Sequence, residues 1–176
     1  LGMIYVYGMT TIFLTAIPLS LLGEFNAFLF VIAIFSFYLA FAGYRQGRNR
    51  NGAREQIDKV LGVFIIVASI LFYVLAVRAY LVDDSMWITS VIFGTIALVG
   101  GINDFRRMKI VEPPNFYDRT NLHLNLMLAG TIATTTAFIV TLDPFSTLWL
   151  NWVAPTIVGT PIIIYFSKRE LAKKTK

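Results

Sequence analysis

The chain has no cysteine, which removes disulfides, thiolate metal sites, iron–sulfur ligation and a cysteine nucleophile together. Histidine is almost as scarce. With His123 the only one, a His-Glu-x-x-His zinc helix is ruled out and both axial ligands of a b-type haem cannot come from this chain as histidines. Charge is thin as well: 14% of residues are charged, against about a quarter in soluble domains. No Asp or Glu falls deep inside any apolar run, so a buried carboxylate to couple protons or sodium to transport is missing. No motif presents a serine nucleophile to His123 and a carboxylate.

What is present is hydrocarbon. Hydrophobic residues make up 57% of the 176-residue chain and the mean hydropathy is +0.70, too apolar for a domain solvated by water on all sides. A helix needs about 20 mostly apolar residues to cross a bilayer. Six stretches qualify: 3–22, 26–45, 59–82, 86–103, 121–142 and 146–167. They are long and continuously apolar, without the alternation of barrel strands. The expected fold is all-α: a polytopic transmembrane bundle of six helices in three hairpins, forming one integral-membrane domain over 1–176. The sequence is compatible with one more helix ahead of Leu1.

The breaks between runs carry helix-start chemistry. Asn26, Asp58, Ser85, Thr120 and Ser146 stand where N-caps are expected. Pro113 and Pro114 stop any extension of the fourth run, and Asp143-Pro144 marks the last turn.

Charge sets the orientation. Arg45, Arg48, Arg50, Arg54 and Lys59 follow the second run, Arg106, Arg107, Lys109 and Arg119 the fourth, and Lys168, Arg169, Lys173, Lys174 and Lys176 the sixth. The alternate connections hold only Glu24, Asp83, Asp84 and Asp143. Every basic residue except Arg78 thus falls on one side, which the positive-inside rule assigns to the cytoplasm, with both ends of the chain there. The expected location is a bacterial cytoplasmic (inner) membrane, with the lipid bilayer as solvent. Because the cations lie in separate short runs, they make no nucleic-acid patch. Arg78 can snorkel outward and pair with Asp83 or Asp84. Tyr80, Trp87, Trp149 and Trp152 belong at the outer interface, and Tyr44, Tyr117 and Tyr165 at the inner one.

The candidate binding residues are His123 and Met127. His123 opens the fifth run at the cytoplasmic headgroup level, and Met127, Gly130 and Thr134 follow on the same helical face. An imidazole so placed can ligate haem or a chlorophyll-type pigment, or hydrogen-bond a quinone. The commoner use of a histidine at an interface is to bond a loop carbonyl or a headgroup. Asp104, beside Arg106 and Arg107, and Asp58, beside Lys59, read as helix caps and headgroup-facing ion pairs, the alternative being a carboxylate near His123 that relays protons or orients the imidazole. Span six, "NWVAPTIVGTPIIIYF", carries Asn151, Pro155, Gly159 and Pro161, the composition of a broken helix able to expose carbonyls to a transported ion. Small residues mark helix contacts: Ser36, Ala40 and Gly43 on span two, Gly94, Ala97 and Gly101 on span four, Ala129, Ala133 and Ala137 on span five. Span two also bears Phe28, Phe30, Phe35, Phe37, Tyr38, Phe41 and Tyr44, a load suited to packing, lipid or a flat cofactor. "IFSFYLAFAGY" (34–44) and "IFGTIALVGGI" (92–102) share an opening and a close, as a duplicated hairpin would.

The stretches "IFSFYLAFAGYR" and "NLHLNLMLAGTIATTTAFIV" resemble those of small multi-helix bacterial membrane proteins of unknown function, across the first two spans and the fifth. In those proteins a His-Arg-x-x-Gly stretch precedes the segment similar to "LGMIYVYGM", which implies a second histidine ahead of Leu1 on the membrane side of His123. The expected role is a non-catalytic subunit or accessory protein among other membrane proteins. The alternatives are a haem- or quinone-binding redox protein using His123, or a small transporter working through span six.

Overall fold

The computed structural model describes residues 2–22, 27–49, 55–109, 114–142 and 144–173. Among them are six α-helices and no strand: α1 (Gly2–Leu22), α2 (Ala27–Arg48), α3 (Gln56–Leu81), α4 (Met86–Met108), α5 (Phe116–Leu142) and α6 (Leu148–Ala172). The all-helical membrane fold expected from the apolar runs is present. Five helices, α2 to α6, are long and apolar enough to cross a bilayer, while the described side chains of α1 supply a shorter apolar stretch, Met3–Ala16. Large apolar side chains such as Val74, Val77, Ile157 and Val158 are exposed along these helices, as lipid contact requires.

The helix ends depart from expectation by a few residues, and each departure has a local cause. Asn26 lies outside the described residues. At α3 the N-cap is Glu55, and Asp58 sits three residues in, its carboxylate accepting from the Glu55 N–H at 2.9 Å. Thr120 is not a cap: α5 starts earlier, with the Asn115 side chain accepting from Asp118 N–H at 2.9 Å, while the Thr120 hydroxyl donates to Phe116 O inside the helix. At α6 the cap position is Thr147, one residue beyond Ser146. Ser85 does hold the cap position of α4, but the acceptor there is Asp84, which takes the Met86 N–H at 3.0 Å. That carboxylate therefore serves the helix start, and no ion pair to Arg78 occurs among the described residues. Asp83 turns the chain between α3 and α4 at φ 55°, a left-handed conformation that aspartate tolerates well.

Span six is unbroken. α6 runs from Leu148 to Ala172 through both Pro155 and Pro161, because each proline removes only one backbone donor and the rest of the ladder continues past it. The broken-helix expectation is corrected accordingly.

The chain forms two compact units, 1–38 with 55–110, and 39–54 with 111–176, and α2 contributes its first turns to one and its last to the other. In the first unit α3 and α4 form an antiparallel hairpin built on small residues. A Cβ on Gly101 would lie 2.5 Å from Ile66 Cδ1, and one on Gly94 3.2 Å from Phe72 Cβ, so the missing side chains let the helices approach. The buried Ser69 hydroxyl crosses this contact to Gly94 O at 2.8 Å. Aromatics from α2 join it: Phe35 meets Phe72 and Phe93 edge-on at 6.3 and 5.7 Å, and Phe13 of α1 stacks on Phe37 at 4.6 Å. The like-placed phenylalanines of the two similar stretches, Phe35 and Phe93, thus touch each other. At the turn end of the hairpin, Tyr80 lies edge-on to Trp87 at 5.9 Å.

The second unit holds the α5–α6 hairpin and the end of α2. Ile132 of α5 fills the space left by Gly159 of α6. Asn151, fully buried, closes the turn: its Oδ1 accepts from Phe145 N–H and its Nδ2 donates to Phe145 O, both at 3.1 Å. Trp152 is buried as well.

Candidate functional site

α5 begins at Phe116, so His123 stands two turns into the helix instead of one. Its ring lies against the last turns of α2. Nδ1 is 2.7 Å from Gly43 O. A carbonyl oxygen only accepts, so Nδ1 carries the proton and in the neutral ring the lone pair resides on Nε2.

Two glycines make room for this. A Cβ on Gly47 would fall 2.7 Å from His123 Nδ1 and 2.9 Å from Cε1, and one on Gly43 would fall 2.9 Å from Met127 Cε and 3.1 Å from Leu126 Cβ. The imidazole and the thioether therefore rest on bare backbone, one turn apart. One turn before His123 on the same face of α5, Arg119 Nη1 donates to Asn49 O at 2.9 Å, just past the end of α2. Three side chains at four-residue steps hold the C-terminal end of α2, where exposed carbonyls attract cations and donors.

Met127 lies flat on Gly43, on the same side of the contact as His123. It cannot serve as the opposite ligand of a macrocycle held by His123.

The remaining small residues divide. Ser36, Ala40, Gly43, Gly94, Ala97 and Gly101 are buried, whereas Ala129 and Ala133 are half-buried and Ala137 is exposed. On α5 the close contacts are made by larger side chains reaching toward glycines on α2 and α6. Gly47 was not singled out in the sequence, although "GYRQG" (43–47) has the Gly-x-x-x-Gly spacing of a helix contact.

In the first unit, the residue that sequence reasoning undervalued is Tyr38. It is 2% exposed, and its hydroxyl donates to Asp104 Oδ2 at 2.6 Å. Asp104 Oδ1 lies 3.8 Å from Arg107 Nη1. A tyrosine among seven aromatics of one span carries no mark in sequence that its hydroxyl, rather than its ring, matters. Among the described residues no three His, Asp or Glu side chains converge as a metal site would need.

No protein-family model, curated protein or solved structure matches this chain.

Proposed function

We propose that the protein is a non-catalytic integral-membrane subunit or accessory protein of a larger membrane complex, of the kind its resemblance to small bacterial membrane proteins implies. In this reading it resides in a bacterial cytoplasmic membrane with six crossings and both ends in the cytoplasm. The observation that carries it is the use made of the interior polar groups. Ser69 bonds Gly94 O, Tyr38 bonds Asp104, His123 bonds Gly43 O and Asn151 bonds both backbone groups of Phe145. These side chains fasten helices to one another or close turns, which is scaffold work.

Extraction in a mild detergent tests this. The protein should elute with other membrane polypeptides well above its own mass. A solitary species whose unfolding temperature rises with a small solute would refute the reading and favour transport. Labelling should find residues 46–58 and 168–176 on one side of the membrane. Labels on opposite sides refute the orientation.

One observation favours a second reading. With the proton committed to Nδ1, neutral His123 offers Nε2 as a lone pair, which suits ligation of haem or pigment metal and not donation to a quinone carbonyl. A Soret band in the purified protein, lost in His123→Ala, supports ligation. A colourless preparation sinks it.

A further inference from the structure

The second unit gathers cations at one end. Ile132 packs over Gly159 in the antiparallel α5–α6 hairpin. At about 1.5 Å per residue, Arg119 lies about 20 Å from that contact and Lys168 and Arg169 about 14–15 Å, in the same direction. Arg48 ends α2 beside Asn49, the residue Arg119 holds.

Carboxylates are fewer than cations among the described residues at this end. Of the two described at this end, Glu170 is engaged by Lys173 and Asp118 lies in the first turn of α5. Arg48, Lys168 and Arg169 are exposed, and none has a carboxylate partner among the described residues. Next to Lys168 and Arg169, toward the middle of α6, Ile162, Ile164 and Tyr165 are exposed. A cationic rim thus stands directly over an apolar wall.

We infer that this end of the second unit binds the phosphodiester headgroup of an anionic phospholipid, with Lys168 and Arg169 as its cations and the α6 wall against its acyl chains. An anion alone would meet the rim but leave the wall uncovered, and a zwitterionic lipid would cover the wall while bringing a cation to the rim. Only an anionic lipid complements both. The inference rests on the membrane reading, and its failure is separable from that reading's.

The test uses the whole protein in neutral-detergent micelles, with unfolding temperature followed as phosphatidylglycerol, phosphatidylcholine or inorganic phosphate is added. Phosphatidylglycerol should raise it saturably, and the other two should not. Each of Lys168→Gln and Arg169→Gln should weaken the apparent affinity about fivefold, and Arg78→Gln in the first unit should leave it unchanged. Equal titrations for the parent and the double Gln variant overturn the inference, as does an equal response to inorganic phosphate or phosphatidylcholine. In any of those cases a protein that stays helical and monodisperse in phosphatidylcholine micelles leaves the membrane reading standing.

Discussion

Substituting Gly47 by alanine puts two effects of opposite sign at one atom. Inside a helix, Gly→Ala stabilises by about 0.5–1 kcal/mol, since it lowers the conformational entropy lost on folding. Here the new methyl would fall 2.7 Å from His123 Nδ1, well inside contact distance, and the imidazole would have to leave its seat. That loses the hydrogen bond to Gly43 O, about 0.5–1.5 kcal/mol, and adds overpacking strain of about 1–3 kcal/mol. The net expectation is destabilisation by about 1–3 kcal/mol. In a His123→Ala background the obstruction is gone, and the same Gly47→Ala should now stabilise by about 0.5–1 kcal/mol. The sign reversal is the measurement: a double-mutant cycle by denaturant unfolding in micelles should give a coupling of about 1.5–4 kcal/mol. If Gly47→Ala stabilises both backgrounds equally, the imidazole does not occupy that seat, and the proton assignment on His123 falls with it.

Other consequences are as direct. Tyr38→Phe leaves the Asp104 Oδ2 position without its buried donor and should cost about 1–2 kcal/mol, whereas Asp104→Asn, which keeps an acceptor oxygen, should cost less; a Tyr38→Phe variant as stable as its parent would argue that the hydrogen bond contributes nothing. Asn151→Leu removes both bonds to the Phe145 backbone and should cost about 1–3 kcal/mol, with faster hydrogen exchange at the Phe145 N–H as the local sign. Unchanged exchange there would refute the turn-closing role. Gly159→Ala should destabilise by about 1–3 kcal/mol through Ile132, and Ile132→Ala should relieve most of the effect of the added methyl; a Gly159→Ala variant as stable as its parent would show the α5–α6 contact to be loose.

The helices were legible because their signal is local. Long apolar runs, interrupted by prolines and charges, leave a backbone in lipid no way to satisfy its hydrogen bonds except within each segment. Gly94, Ala97 and Gly101 reveal themselves as a contact face by spacing alone. The cap positions were less legible: Asp58, Thr120 and Ser146 have the right chemistry, but so do neighbours a few residues away, and which one caps depends on where the preceding chain enters. Span six misled for a related reason. Prolines mark lost donors in sequence, yet whether a helix breaks there depends on what packs along it.

Composition and charge pattern therefore determined, without any structure, that lipid solvates this chain, that it is helical, and roughly where each helix lies. Hydropathy acts on each segment separately, so it can be read one segment at a time. Partnership between distant residues was decided by tertiary structure alone: that His123 lies on the backbone of α2 with its proton on Nδ1, that Tyr38 finds Asp104, and that Gly159 receives Ile132. A hydrogen bond extends about 3 Å and has direction, so its partner is set by how two helices are rotated and slid against each other, which no single segment encodes.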